Sequence, residues 1–193
     1  MADTAPEPIS LDEAKGNLRV DTNADDGRIA SLIVAAREQV EDMTYLVLTP
    51  RPITETRPEL GRWIDLKSWP IQSVDAVRYP VHNVMTALPA GAWVTNLKAE
   101  PVRLLPAQMG WGVGFTGGLC RHFAPEQLPI EIDVTAGFPT TDDVPEKVKQ
   151  AMHLLIAHWY SNRAAAEVGT RAAAVEIPYG FEPLLRRWTK IVI

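Results

Sequence analysis

The sequence predicts an α+β protein in which a small helical bundle carries an inserted antiparallel β region. Twelve of the 16 prolines fall between Pro50 and Pro145, and proline at this density does not fit helix interiors. The flanking segments repeat apolar residues at three- and four-residue steps, which is typical of helices. We therefore expect one domain over residues 1–193, with N-terminal helices over 10–45, a Pro-rich β insertion over 46–140, and C-terminal helices with a tail over 143–193.

Two helices are expected in the first flank. Ser10 and Glu13 have the spacing of a capping box, which places the start of a short helix at Leu11. A longer helix follows, opened by Asp25 or Asp26, whose negative charge suits a helix N-terminus. Its apolar stripe consists of Ile29, Leu32, Ile33, Ala36, Val40 and Met43, and its expected solvent face of Arg28, Arg37, Glu38 and Glu41.

The insertion is expected to form one antiparallel sheet of about four to six strands. Residues 130–134 alternate strictly between apolar and acidic side chains, the pattern of a half-buried strand. Weaker strand candidates, separated by turns that contain proline or glycine, are residues 63–66, 74–79, 92–96 and 102–105.

The second flank begins with a long helix that is apolar on most of its sides. Asp142 and Asp143 are expected to cap it, with Pro145 at its first position. A helix of this kind packs from several directions, so we expect the central helix of the fold or a contact between subunits. The candidate interface residues are Met152, Leu155 and Trp159 on this helix, and Trp111 and Phe115 in a glycine-rich loop.

A last, short helix carries Phe181, Leu184, Leu185 and Trp188 on one side and basic residues on the other. The sequence then ends in Ile191, Val192 and Ile193. An apolar segment of this kind either covers the protein's own core or contacts a partner surface.

Composition places the chain among ordinary globular proteins. It has 193 residues, of which 46% are hydrophobic and 22% charged. We expect no secretory signal, because the first residues are acidic, and no membrane span, because the longest apolar run, residues 151–160, is too short. The single cysteine, Cys120, gives no disulfide framework within the chain and fits a reducing cytosol.

Charge is distributed unevenly along the chain. The net charge is −5, which argues against nucleic-acid binding as the main activity. Residues 1–45 carry −6, residues 46–144 carry −2 and residues 145–193 carry +3. Opposite charge at the two ends indicates either head-to-tail stacking with copies or a partner, or two separately solvated faces.

The motifs that carry chemistry are mostly absent. His153 and His158 are five apart, so on a helix their side chains diverge by about 140° and do not share a metal. The glycines of residues 110–118 lack the Gly-Lys-Ser/Thr of a phosphate loop. Cys120 beside His122 lacks an orienting acid. We predict no catalytic, cofactor or metal residue; a small enzyme that uses Cys120 and His122 is the less favoured alternative.

Six tryptophans are many for this length. A platform for single-stranded nucleic acid interleaves aromatic residues with Lys and Arg, and here only Trp63 after Arg62 and Trp188 after Arg187 approach that pattern. Anchoring of the core and of interfaces is favoured instead.

The order of these segments resembles the head–tail connector (adaptor) family of tailed bacteriophages and phage-like particles. The likeness runs in order through most of the chain and is poor in the β insertion. It is carried by Leu11-Asp12-Glu13-Ala14-Lys15, Asp25-Asp26, residues 29–40, residues 130–138, Val144-Pro145-Glu146-Lys147-Val148 continuing through 163, and Ile177-Pro178-Tyr179-Gly180-Phe181 continuing through 185.

The resemblance implies a structural virion protein without enzymatic activity or cofactor. Copies would form a ring of about twelve subunits, a dodecamer, below the portal protein at the capsid vertex. Genomic DNA would pass through the ring without sequence-specific binding, and the lower face would receive tail or neck proteins. Its location would be the virion neck, and the host cytoplasm during assembly.

In such proteins the terminal helix and tail reach the portal. The resemblance gives this role here to Phe181, Leu184, Leu185, Trp188, Ile191, Val192 and Ile193. We therefore expect that a chain without residues 181–193 folds but no longer completes particles. The sequence is also compatible with a different neck or tail-completion protein, and with a regulator that binds nucleic acid through its basic last helix.

Overall fold

A computed structural model of the chain describes residues 6–58, 60–81, 84–107, 111, 129–162 and 180–189. Within these residues the protein is mixed α and β, with four α-helices and two antiparallel sheets, so the α+β class is confirmed. The chain divides into two compact units, whereas the sequence predicted one domain. The helical unit comprises Met1–Thr49 and Phe138–Ile193, and the sheet unit comprises Pro50–Gly137.

The helical unit is organised around its third helix. Its elements are α1 (Leu11–Leu18), α2 (Asp26–Met43), a 3-10 turn (Thr141–Asp143), α3 (Glu146–Ser161) and α4 (Phe181–Leu185). Helix α3 packs against each of the other three helices. The largest fully buried side chains of this unit are Ile9, Ile29, Val40, Met152, Leu155, Ile156, Phe181 and Leu185.

The capping box of α1 is confirmed. The amide of Glu13 donates to Ser10 Oγ at 3.2 Å, and the amide of Ser10 donates to the Glu13 carboxylate at 3.4 Å. Two orphan amides at the helix start are thereby satisfied. The sequence therefore positioned this helix start correctly.

The acidic residues near the starts of α2 and α3 do not cap these helices through their side chains. Asp25 is the N-cap residue of α2 without a side-chain cap bond, and its carboxylate accepts from the Tyr160 hydroxyl at 2.7 Å. Asp142 and Asp143 lie in the 3-10 turn, where the Asp143 carboxylate accepts from the amide and hydroxyl of Thr140. Pro145 is the N-cap residue of α3 rather than its first residue. The prediction that the two aspartates cap α3 is therefore wrong.

The sheet unit contains seven described strands in two sheets. In chain order they are β1 (Arg51–Arg57), β2 (Ile64–Asp65), β3 (Ile71–Val81), β4 (Val84–Ala87), β5 (Trp93–Thr95), β6 (Arg103–Pro106) and β7 (Ile130–Ala136). The four-stranded sheet has the order β1-β7-β3-β4, and the three-stranded sheet has the order β2-β6-β5. All pairings are antiparallel.

The prediction of a single sheet of four to six strands is therefore wrong. The sequence missed β1 because Pro52 lies within it, and proline removes a ladder donor. Strand β1 is the edge of its sheet, where this loss is tolerated. The short strand β4 was also missed. The predicted alternation of β7 is confirmed, because Ile130, Ile132 and Val134 are buried while the acidic residues between them are partly exposed.

Candidate interaction surfaces

The apolar faces of α3 are covered within the chain itself. Of the three interface candidates on this helix, Met152 and Leu155 are 0% exposed, whereas Trp159 is partly exposed. Helices α1, α2 and α4 all pack on α3, so an apolar surface on most sides of α3 is accounted for by its own neighbours. Met152 and Leu155 are thus core residues in this structure, not exposed interface residues.

Helix α4 is anchored by two of its predicted docking residues. Phe181 and Leu185 are 0% and 1% exposed, and α4 packs on α3. Leu184 and Trp188 are half-buried. An isolated β-bridge joins Thr189 to Thr44 and so fixes the residues after α4. Ile191, Val192 and Ile193 lie outside the described residues.

This placement changes the expectation for a truncated chain. A protein without residues 181–193 loses Phe181 and Leu185 from the core of the helical unit. Removal of one large core side chain costs about 2–5 kcal/mol. We therefore expect the truncation to destabilise the helical unit, contrary to the expectation from the sequence.

Trp111 is an anchor within the sheet unit. Its side chain is 6% exposed, and its Nε1 donates to the carbonyl of Gly61 at 2.8 Å. The predicted interface residue Trp111 is therefore buried in its own chain. Phe115, Cys120 and His122 lie outside the described residues.

The two histidines of α3 do not form a metal site. His153 Nε2 lies 3.7 Å from a carboxylate oxygen of Glu13, whereas His158 Nδ1 lies 3.2 Å from Asn162 Nδ2. Among the described residues, no group of three His, Cys, Asp or Glu side chains is arranged to hold a metal ion. In the same part of the chain, no helix is long and apolar enough to cross a membrane.

Arg37 is buried, although the sequence placed it on the solvent face of α2. Its guanidinium donates to Glu7 at 2.9 Å and to Glu41 at 3.2 Å. Burial acts to lower the pKa of Arg37, but the carboxylates of Glu7 and Glu41 outweigh it and raise that pKa above its ordinary value. The contact ties the segment before α1 to α2, so its role is structural.

One partly exposed surface lies on the four-stranded sheet. We call it the acidic face, and it consists of Asp75, Arg78, Glu131 and Asp133. Arg78 donates to Glu131 at 3.0 Å and to both carboxylate oxygens of Asp133. Hydrogen bonds from Arg78 to Glu131 and Asp133 raise the pKa of its guanidinium. Asp75 accepts from Thr135 at 2.8 Å. Three carboxylates against one guanidinium leave this face with a net charge of −2.

A second exposed surface lies on the three-stranded sheet, and we call it the tryptophan face; it consists of Arg62, Trp63, Asp65, Val94, Arg103 and Leu105. Val94 and Leu105 are directly paired across β5 and β6, and they are 54% and 39% exposed. Trp63 is 42% exposed. The guanidinium carbons of Arg103 and Arg62 lie 4.8 and 5.8 Å from the centre of its ring.

Arg103 on this face is held by a bidentate ion pair. Its Nε and Nη2 donate to the two oxygens of Asp65 at 2.6 and 3.1 Å. The hydrogen bond from Arg103 lowers the pKa of the Asp65 carboxyl, against a smaller raising effect of burial. One signal of this surface was visible in the sequence, the adjacency of Arg62 and Trp63. Arg103 is far from Trp63 along the chain and reaches it only through the pairing of β2 with β6.

Comparison with known proteins agrees with the resemblance seen in the sequence. The family model described as "Phage gp6-like head-tail connector protein" matches residues 8–69, a range that includes α1, α2, β1 and β2. The resemblance to head–tail connectors is thereby confirmed over these residues, and the match extends into the β insertion, where the sequence likeness was poor. No curated protein matches the chain.

Solved structures of a gene transfer agent (GTA) match nearly the full chain. A chain of the "Neck of empty GTA particle computed with C6 symmetry" is 26% identical, with a TM-score of 0.68 over 98% of this chain and 94% of that one. A chain of the "Virion of native gene transfer agent (GTA) particle" is 24% identical, with a TM-score of 0.68 over 100% and 95%. A chain of the "Neck of native GTA particle computed with C12 symmetry" is 22% identical, with a TM-score of 0.61 over 100% and 97%. The last two show likeness of fold.

Proposed function

We propose that this protein is a head–tail connector, a structural adaptor in the neck of a phage or phage-like particle. The observation that carries the proposal is the match of residues 8–69 to the head–tail connector family. The likeness to a chain of a GTA neck extends it to 98% of the protein. Both halves of the fold, helical and β, therefore have a counterpart in a neck structure.

The connector would act as a homo-oligomeric ring. The similar neck structures have C6 and C12 symmetry, and a dodecameric ring is compatible with both. A ring of this kind would dock on the portal protein on one side and give tail or neck proteins an attachment face on the other. Assembly would take place in the host cytoplasm, and the finished ring would remain in the virion.

The portal contact is assigned to the exposed side of α4 and to the residues after it. Phe181 and Leu185 hold α4 on α3, so they fix the helix rather than meet the portal. Leu184 and Trp188 are half-buried, and together with Ile191, Val192 and Ile193 they would form the docking segment. Arg186 and Arg187, both exposed, add positive charge to it.

DNA has to pass through the ring without being bound tightly by it. The chain carries a net charge of −5, and like charge lowers affinity for phosphates. We therefore propose a conduit that makes no sequence-specific contact with the genome. The function requires no catalytic step, in keeping with the structural description of the matching family.

The test is deletion of the gene in a strain that produces particles. We expect filled or empty heads without tails, and restoration of complete particles by the wild-type gene. The double variant Cys120→Ala, His122→Ala serves as a matched control, because a structural connector completes particles without either side chain. Complete particles in the deletion strain would contradict the proposal, and failure of the double variant, if that variant is folded, would favour the enzyme alternative.

A further inference from the structure

We infer that the tryptophan face binds the acidic face of a neighbouring copy, and that this contact closes the ring. The inference rests on the proposed connector function and deepens it, because it names the surface through which copies assemble. Both faces belong to the sheet unit, and each consists of residues that the structure describes.

The tryptophan face has the composition of a protein interface. Trp63, Val94 and Leu105 place large apolar side chains in solvent at 42%, 54% and 39% exposure. Clustered exposed apolar side chains mark interaction sites, and Trp and Arg are the residues most enriched at the centres of interfaces. The two arginines of the face, Arg62 and Arg103, lie over the tryptophan ring.

The face is ordered before any partner arrives. Arg103 is bound by both Asp65 oxygens, and its guanidinium lies 4.8 Å from the centre of the Trp63 ring. Asp65 and Arg103 are directly paired residues of β2 and β6. Side chains that are already fixed lose less conformational entropy on association, which favours binding.

Charge selects the acidic face as the occupant. Arg62 and Arg103 against Asp65 give the tryptophan face a net charge of +1, whereas the acidic face carries −2. Complementary charge steers association and disfavours the pairing of two like faces. A contact between two tryptophan faces would bring Arg62 and Arg103 toward their own copies.

Ring symmetry requires two different faces on each copy. A contact between identical patches produces a closed two-fold dimer, whereas a contact between unlike patches continues around a ring. The similar neck structures have cyclic symmetry. The sheet unit supplies the necessary pair of unlike, complementary faces on its two sheets.

The test uses a photoreactive p-benzoylphenylalanine at position Val94 in particles that carry the protein. We expect a cross-linked product at twice the 21.3 kDa of the chain, with the attached peptide mapping to β7, β3 or β1 of a second copy. The matched control places the same group at Val84. That valine is 65% exposed. It pairs with Val81, which is three residues along β3 from Arg78, so position 84 lies on the opposite face of the sheet from Arg78. We expect no product of doubled mass from it.

Charge reversal tests the pairing of the two faces. Arg62→Glu should lower the yield of the Val94 cross-link about tenfold, the change that a loss of about 1.4 kcal/mol corresponds to. Adding Asp75→Lys should restore much of the yield by reversing the other side. Lys147→Glu reverses an exposed positive charge on α3, outside both faces and outside the proposed docking segment, and should leave the yield unchanged.

Several outcomes would overturn the inference. These are a cross-link that stays at the mass of one chain, for example to residues 112–128, a cross-link to a different virion protein, and a cross-link to nucleic acid. In each of these the protein is still present in the particle, so the proposed connector function stands while the ring contact fails. Absence of the protein from particles would instead contradict the connector function itself.

Discussion

The helical unit and the sheet unit use their apolar residues in opposite ways. In the helical unit, the large side chains of α3 and α4 that the sequence offered for contact are mostly buried against other helices. Of the six exposed large hydrophobic side chains among the described residues, only Tyr45 belongs to the helical unit; the other five, Trp63, Val84, Val94, Leu97 and Leu105, belong to the sheet unit. The difference indicates that the helices stabilise the fold and that the sheets carry much of the surface available for assembly.

The largest effect is expected in the core of the helical unit. Phe181→Ala removes a fully buried aromatic side chain and should lower the free energy of unfolding by about 3–5 kcal/mol. Chemical denaturation measures the change. Glu182→Ala, at the exposed next residue, is the control and should stay within about 0.5 kcal/mol of the wild type. A loss below about 1 kcal/mol for Phe181→Ala would show that α4 does not belong to the core.

A smaller loss is expected at the buried ion pairs of Arg37. Arg37→Met keeps the aliphatic stem but removes the cation between Glu7 and Glu41, and breaking a buried pair in this way costs about 3 kcal/mol. Denaturation of the intact chain again measures it. Glu38→Gln is the matched control, because Glu38 lies 3.9 Å from Arg37 and is 63% exposed. Equal effects of the two variants would contradict the structural role of the Arg37 contacts.

The sequence predicted features that depend on near neighbours in the chain and missed those that depend on distant residues. Local patterns predicted the capping box at Ser10 and the alternation of β7, because both depend on residues a few positions apart. Periodicity placed Arg37 in solvent, since its partner Glu7 lies outside the helix. It also could not separate an apolar helix packed in its own core from one packed on another subunit, because both require the same side chains on α3. The tryptophan face as a whole could not be predicted, because Arg103 contacts Trp63 only once β2 and β6 pair.

The exposed valines of the sheet unit should separate assembly from stability. Val94→Ser and Val84→Ser both alter solvent-exposed strand residues, so each should change the free energy of unfolding by about 0.5 kcal/mol or less. Only Val94→Ser should reduce the yield of complete particles, because only Val94 lies on the tryptophan face. A plaque or gene-transfer assay measures the yield. Equal yields of complete particles from the two variants would contradict a role of the tryptophan face in assembly.

The smallest effect concerns acid stability. The folded-state pKa of Asp65 lies below its unfolded value because Arg103 donates to it. The pair therefore contributes stability above the unfolded pKa of about 3.9, and this stability is lost as the pH falls through the lower folded-state pKa. The side chain is 41% exposed, which keeps the contribution small.

Thermal unfolding between pH about 6 and about 2 measures this contribution. Asp65→Asn should be slightly less stable than the wild type at the upper end and equal to it at the lower end. Asp21→Asn changes an exposed residue between α1 and α2 and is the control for a general effect of lost negative charge. The same difference between Asp65→Asn and the wild type at both ends would contradict the assignment of the effect to the Asp65 carboxylate.

The most direct measurement is a cryo-electron microscopy reconstruction of the particle neck, from wild-type particles and from particles whose copy of this chain carries an added domain. We predict a ring with cyclic symmetry into which the chain fits, with extra density from the added domain at every subunit and with the tryptophan face of each copy against the next. A complete neck that contains no density for this chain, or no extra density from the tagged form, would contradict its identity as the connector.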